Sequence, residues 1–314
     1  MNRACTAWIT GLCSERYRTR GGLSVNRALL TIAILTALCL TTLAQPTWKR
    51  EAAPTKAPLE LFHSVMTANF PTTESLKKGD FMYEISHRFL PPIKEGYDAY
   101  FGIDGPAYIR TALSFGITDR VMVTLGRTNL LDNTDLRLKV KLWEFRNETA
   151  PAAVAVRAGI ALNAEIPDEL DRGTFAGDNW QYYGQLVYNT MLFDGRLGLG
   201  LVPSYLYNSS VFTRETQDTF TMGGYGQYYI NGMWSLWAEY NAIVSGYQGV
   251  IAPGELGKSY NSVATGLDIE TGGHFFHLFV TNNARLNPAQ FLVGADRTAR
   301  ENNWRLAFGI TRYL

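Results

Sequence analysis

The chain contains about a dozen segments in which apolar and polar residues alternate, joined by connections that are alternately short and long. Successive side chains of a β-strand point to opposite faces, so alternation with a period of two predicts strands with one apolar face. An even set of strands with tight turns at one end and long loops at the other is typical of a membrane barrel. The sequence therefore predicts an all-β fold, a transmembrane up-and-down antiparallel β-barrel of about twelve strands.

The connections suggest which end of this barrel faces which compartment. The short ones are predicted at 118–119, 146–150, 193–195, 231–232 and 271–273. The long ones are predicted at 90–105, 127–134, 164–179, 208–218, 246–258 and 281–302. With the N-terminal segment in the periplasm, the short turns are expected there too, and the long loops outside the cell.

The predicted strands are long enough to cross a bilayer at a tilt, which takes roughly 9–11 residues. They are Phe81–Phe89, Ala107–Ile117, Val121–Asn129, Asp135–Phe145, Ala152–Asn163, Trp180–Leu192, Leu197–Tyr207, Phe220–Ile230, Met233–Val244, Ser259–Glu270, His274–Val280 and Trp304–Tyr313. The outward rows are aliphatic and aromatic on nearly every strand. Tyrosines and tryptophans, Tyr229 among them, fall largely near strand ends, as in the aromatic girdles of membrane barrels. A soluble β-sandwich is the alternative, but its strands are shorter, and the inward rows here are too rich in Gly, Ala and charge for a dry core.

Residues 1–44 are interpreted as a signal peptide. A basic region ends at Arg27, an uncharged and mostly apolar stretch follows, and Ala44 offers a cleavage site before Gln45. An uncleaved anchor is the alternative, although the apolar stretch is shorter than the roughly 20 residues of a spanning helix. The basic region is long, so translation starting near Val25 is a second hypothesis. We expect export through the periplasm to the outer membrane, with residues 45–80 as a periplasmic segment or plug and residues 81–314 as the barrel.

Composition excludes several classes of function from the chain after Gln45. All the cysteines precede this point, so neither a disulfide framework nor a thiolate metal site is expected. The remaining charge is slightly negative, which argues against a nucleic-acid partner. No apolar run is long enough for a spanning helix, so a membrane location requires a closed sheet, in which every strand has its backbone partners.

Several short motifs resemble one known family. The run Phe81–Phe89 contains Ile-Ser-His-Arg-Phe, and residues 101–105 read Phe-Gly-Ile-Asp-Gly. With the matching stretches 115–120 and 309–313, these motifs are similar to a group of uncharacterised Gram-negative outer-membrane β-barrel proteins, a domain family of unknown function. The resemblance covers most of residues 60–314, and it implies an outer-membrane barrel without supplying catalytic residues. The chain departs from many barrels by ending on Leu314, not on an aromatic residue.

The inward rows carry charges that we interpret as candidate lumen-lining residues. These are Glu84, Arg88, Arg110, Arg137, Lys139, Lys141, Arg157, Glu239, Asp268 and Glu270. One hypothesis is a cationic wall opposite an anionic wall, whose transverse field would orient polar solutes. The alternative is a structural network in which Glu84 and the cations pair. Small inward residues leave interior space for water, for an inserted loop or for the 45–80 segment.

These patterns favour a narrow passive channel for small polar or charged solutes. A closed structural or anchoring barrel with surface loops is one alternative, and a lipid hydrolase is another, although no outward serine is found beside His87. No cofactor is expected, and no metal, since His274 and His277 point to opposite faces of one strand. The expected partners are outer-membrane lipid, the barrel-assembly machinery and small polar solutes.

Overall fold

The structure is a computed structural model that describes residues 58–252 and 257–314. The predicted signal peptide and residues 45–57 lie outside the described residues. In the described ranges, no helix has the length and apolar character needed to span a bilayer.

Twelve antiparallel strands close into one barrel, which confirms the predicted fold class. They are β1 (Phe81–Phe89), β2 (Ala107–Thr118), β3 (Val121–Thr128), β4 (Asn133–Phe145), β5 (Ala152–Leu162), β6 (Trp180–Leu192), β7 (Leu197–Tyr207), β8 (Asp218–Tyr229), β9 (Trp234–Gly246), β10 (Ser262–Thr271), β11 (His274–Thr281) and β12 (Arg305–Tyr313). Each strand pairs with the next, and β1 pairs with β12 to close the sheet. The bounds of β1, β6 and β7 are as predicted. The other strands differ from prediction by a few residues at one or both ends.

Alternation along each strand separates an exposed outer face from an enclosed inner face. On β2, Ile109 and Leu113 are exposed, whereas Arg110, Ala112 and Ser114 are buried inside the barrel. Such an arrangement reverses that of a water-soluble protein, and it suits a barrel whose outer face contacts lipid.

Most of the aromatic residues assigned to the girdles lie on the outer face, but Tyr229 does not. Its side chain points inward, where its ring stacks on His63 at 4.3 Å between centroids. Its phenol oxygen also accepts a hydrogen bond from the His63 backbone N–H at 3.2 Å. The placement of Tyr229 in a girdle is therefore wrong, because the parity of β8 turns its odd-numbered residues inward.

The predicted alternation of connection lengths fails at one join. The β3–β4 connection, predicted to be long, consists only of residues 129–132, whereas the β4–β5 connection spans residues 146–151. The strand β4 begins early because Asn133 pairs with Thr128 of β3 and its side chain donates a hydrogen bond to Asn163 at 2.8 Å. The connections β1–β2, β5–β6, β7–β8, β9–β10 and β11–β12 are long. Together with the short β3–β4 connection, they lie at what we call the loop end. The opposite end, where β1 begins and β12 finishes, is called the turn end.

Candidate functional site

Two segments fill the described part of the barrel interior. Residues 58–80, which we call the plug segment, lead into β1, and their apolar residues Leu61, Phe62, Val65 and Phe70 are buried. Residues 282–304 form the β11–β12 loop, and residues 282–295 of it are buried. This loop contains a single helical turn, α1 (Pro288–Phe291). The interior is thus occupied by chain that belongs to no strand.

Polar side chains of the wall hold the plug segment in place. Asn189 accepts a hydrogen bond from the Thr73 backbone N–H at 2.7 Å, and the phenol of Tyr225 donates one to the Pro71 carbonyl at 3.0 Å. Small residues provide the space. A Cβ at Gly223 would lie 2.3 Å from the Phe70 ring, and one at Gly198 would lie 2.5 Å from the Phe62 ring. The wall is therefore shaped around this segment.

The β11–β12 loop is anchored to the wall as firmly. Asn287 caps α1 through the Ala289 backbone N–H, and its amide also donates a hydrogen bond to Asp135 at 2.9 Å. Arg305 at the start of β12 forms an ion pair with Asp296, whose two oxygens lie 2.9 and 2.6 Å from its guanidinium nitrogens. Burial opposes ionisation of Asp296, but attraction to Arg305 and hydrogen bonds outweigh it, so the pKa of Asp296 lies below its ordinary value.

A compact ion network lines the wall formed by β1, β2 and β4. Arg110 is 2.5 Å from Asp135 and 3.4 Å from Glu84. Arg137 is 3.1 Å from the other oxygen of Glu84 and 3.5 Å from Asp135. Two carboxylates therefore lie between two guanidinium groups. The predicted set of lumen-lining charges did not include Asp135. The sequence nevertheless predicted Asp135 as the first residue of this strand, and Asp135 has the same inward parity as Arg137.

The other predicted cations of this wall contact the plug segment or face each other. Lys141 pairs with Glu74 at 3.1 Å and also donates to the Leu59 carbonyl. Lys139 donates to the carbonyls of Val65 and Thr72 at 2.8 and 3.2 Å. Arg157, opposite Lys139 on β5, donates to the amide oxygen of Gln185 at 2.7 Å.

The remaining predicted residues lie on the opposite part of the wall and on β1. Glu239 accepts hydrogen bonds from Thr67 and from Asn69, the latter at 2.6 Å through its amide. Arg88 donates to the Asn69 side chain at 3.0 Å, and its guanidinium lies 4.4 Å from the centre of the Phe279 ring.

Asp268 and Glu270 each contact a histidine. Asp268 is 2.7 Å from His277 Nδ1 and accepts a hydrogen bond from the Trp237 indole at 2.6 Å. Glu270, half-buried at the turn end, is 2.7 Å from His63. Every predicted charge thus lies on the interior face, engaged with a neighbour or with the inserted segments. This geometry favours the pairing alternative over a transverse field across open space.

Metal binding and lipid hydrolysis were both considered from the sequence. The described residues contain no group of three or more His, Cys, Asp or Glu side chains that could hold a metal ion. His87 points outward, where its ring stacks on Phe308 at 5.0 Å between centroids and lies 4.4 Å from Phe89. Among these residues its Nδ1 atom has no hydrogen-bond partner.

Sequence reasoning missed two further sets of residues inside the barrel. The position of His277 on β11 predicts that its side chain faces inward. Its contact with Asp268, however, depends on the register between β10 and β11, which the sequence does not reveal. Glu74, Asn69 and Phe70 lie in a segment without periodicity, and no local signal marked them as partners of the wall.

Several solved structures resemble this chain at low sequence identity. They include an outer membrane channel from Pseudomonas putida F1, with 12% identity, a TM-score of 0.47, and 77% of this chain and 98% of that one covered. They also include Omp33 from Acinetobacter baumannii, with 6% identity, a TM-score of 0.38, and coverage of 76% and 99%. A third is outer membrane phospholipase A from Escherichia coli, with 11% identity, a TM-score of 0.37, and coverage of 76% and 94%. With TM-scores below 0.5, these likenesses carry no conclusion about the present chain.

At the level of sequence, no protein of curated function matches the chain significantly. A family model does match, over residues 62–314, and its description is a membrane bound beta barrel domain (DUF5777). The matched residues include all twelve strands of the closed barrel, whose outer face is apolar, and most of the plug segment. The chain therefore belongs to this family of membrane-bound β-barrel domains.

Proposed function

We propose that the protein is a narrow, gated channel of the outer membrane for small polar or charged solutes, and that the described conformation is its closed state. The observation that carries the proposal is the way in which the plug segment is held. Its contacts with the wall include an ion pair, Lys141–Glu74, and hydrogen bonds from Lys139 and to Glu239. Water can replace contacts of this kind when a segment leaves, at a net cost of about 1 kcal/mol for a typical hydrogen bond.

The position of the plug segment in the chain supports movement. It belongs to no strand of the barrel, and the sheet closes through the pairing of β1 with β12. Its release would uncover an inner wall lined by polar and ionisable side chains and by small residues. The outer-membrane location is supported by the family, by the closed sheet and by the predicted signal peptide.

A charge swap between Lys141 and Glu74 tests the proposal. In Lys141→Glu the new carboxylate faces Glu74, so the plugged state is destabilised by repulsion and by loss of the ion pair. Each loss of about 1.4 kcal/mol multiplies the ratio of open to closed channels by ten. We expect at least a roughly tenfold rise in open probability in planar bilayers. The double variant Lys141→Glu/Glu74→Lys restores an ion pair and should return conductance towards the wild-type level.

A matched control is available in an exposed ion pair. Arg127 and Asp132 are 2.7 Å apart at the loop end, and both side chains are more than half exposed. Arg127→Glu should leave conductance unchanged, since exposed pairs contribute little. Folded Lys141→Glu protein that inserts into bilayers and stays electrically silent would contradict the channel proposal.

A closed structural barrel is the second candidate function, and the aromatic packing of the interior favours it. The Phe70 ring packs on both Tyr225 and Phe291, within a buried cluster that joins the plug segment, the wall and the β11–β12 loop. Such a core suits a permanently filled barrel that displays loops or anchors a partner. The same conductance series separates the two candidates, because a permanently filled barrel gives no current in any variant.

A further inference from the structure

Lys139 and Arg157 form an unusual pair of buried cations. They lie directly opposite each other on β4 and β5, and each residue is only 5% exposed. Like charges at directly opposed positions of a sheet destabilise it. Burial makes the repulsion stronger, because the interior screens charge less than water does.

The nearby carboxylates are engaged by other cations. Glu84 and Asp135 lie between Arg110 and Arg137, and Glu74 pairs with Lys141. Throughout the part of the chain that the structure describes, neither Lys139 nor Arg157 forms an ion pair with a carboxylate. Their hydrogen-bond acceptors are neutral, namely two carbonyls for Lys139 and the Gln185 amide for Arg157.

A small cavity lies beside this pair. Its volume is ≈ 20 Å³, and its polar lining comprises Glu84, Ser114, Thr124, Arg137, Lys139 and Arg157. The Nη2 atom of Arg157 is buried and has no hydrogen-bond partner among the described residues. The hydroxyls of Ser114 and Thr124 are 2.8 Å apart, so that one donates to the other and one proton remains for a further acceptor.

These observations together define the chemistry of a ligand. A cavity needs about 10–15 Å³ to hold a single water-sized particle, so an ion of about that size fits. The available donors are a guanidinium, an ammonium and a hydroxyl. The one carboxylate in the lining, Glu84, is within ion-pair distance of Arg110 and Arg137. We infer that Lys139 and Arg157 bind a small inorganic anion of the size of chloride. The anion would lie on the inner face of the barrel wall, next to the plug segment.

Such an anion would also stabilise the plugged conformation. Lys139 donates to two carbonyls of the plug segment, and neutralising its repulsion with Arg157 favours the arrangement in which those bonds form. The inference concerns binding to the closed barrel, so it holds or fails independently of whether the protein conducts.

Bromide provides a direct test, since it replaces chloride and scatters anomalously. Crystals of the full-length protein grown in sodium bromide should show an anomalous peak between Lys139 and Arg157. In detergent at constant ionic strength, the Tm in chloride is compared with the Tm in gluconate, an anion too large for the cavity. Chloride at about 100 times its own Kd should raise Tm by at least about 5 °C. Arg157→Gln should abolish the peak and the shift. Lys139→Met, of similar volume, is the second variant should the first fail to fold.

The control is Arg305→Gln, which removes a buried arginine already paired with Asp296. It should lower Tm in both salts and keep the difference between them. The inference is overturned if wild-type crystals show no bromide peak, as expected of a cavity that holds only water. It is also overturned if chloride and gluconate give the same Tm. Persistence of the bromide peak and the Tm shift in both Arg157→Gln and Lys139→Met would overturn it too, since that is expected of an adventitious ion only.

Discussion

The ring of Phe70 in the plug segment meets the ring of Phe291 in α1 edge to face, with centroids 5.4 Å apart and planes at 87°. On another side, Phe70 stacks on Tyr225 of β8 at 6.0 Å between centroids. Phe70 has no exposed surface. One buried ring therefore connects the plug segment, the β11–β12 loop and the wall.

Truncating Phe70 should loosen all of these elements. Phe70→Ala removes a fully buried ring, for which the expected cost is about 3–5 kcal/mol. Unfolding in denaturant, monitored by tryptophan fluorescence in detergent, would measure it. Phe193→Ala is the control, because Phe193 lies in the β6–β7 turn with 68% of its surface exposed, and it should change stability by less than about 0.5 kcal/mol. Equal effects of the two variants would show that the plug segment is not packed as described.

Adjacent glycines on β8 should respond differently to the same substitution. A Cβ at Gly223 would lie 2.3 Å from the Phe70 ring, whereas at Gly224 the nearest atom would be 3.5 Å away. Gly223→Ala should therefore destabilise the protein by about 1–3 kcal/mol through overpacking and expose the plug segment to protease. Gly224→Ala should be tolerated. In a Phe70→Ala background, the effect of Gly223→Ala should shrink, and strict additivity of the two changes would argue against their contact.

The outer face should behave as a lipid-facing surface. Leu125 lies at the centre of a cross-strand row with Leu113 and Leu136, and it is 56% exposed. In water, arginine at an exposed site is nearly neutral. Facing the hydrocarbon core, Leu125→Arg should cost about 2–4 kcal/mol, as measured by unfolding in lipid vesicles. The control Ile103→Arg, in the β1–β2 connection, should cost about 1 kcal/mol or less. A neutral Leu125→Arg would contradict a lipid-facing position.

The Asp296–Arg305 pair predicts an acid-sensitive anchor for the β11–β12 loop. The folded-state pKa of Asp296 lies below its ordinary value of 3.8, so the folded protein binds the proton less readily than the unfolded chain. The stabilisation is complete above the unfolded pKa, and it is lost as pH falls through the lower, folded pKa. The melting curves of wild type and Asp296→Asn should therefore draw closer together as pH falls below about 3.8. Curves that remain equally separated at all pH values would exclude this role.

The sequence by itself determined the strands and the direction of their side chains. Successive side chains of an extended backbone point to opposite faces, so parity alone predicts that Ile109 faces out and Arg110 faces in. The same rule identifies Asp135, which lies two residues before Arg137 on β4, as inward. Parity did not locate the start of β4, because Asn133 is held by Asn163, a residue of the β5–β6 connection.

Only the tertiary structure decided what fills the barrel and which charges pair. The plug segment and the β11–β12 loop carry no periodic pattern, and their partners are distant in the chain, as Phe70 is from Phe291. These contacts exist only after β1 meets β12 and the sheet encloses a volume. Side-chain direction follows from local backbone geometry, whereas packing and pairing depend on which surfaces closure brings together.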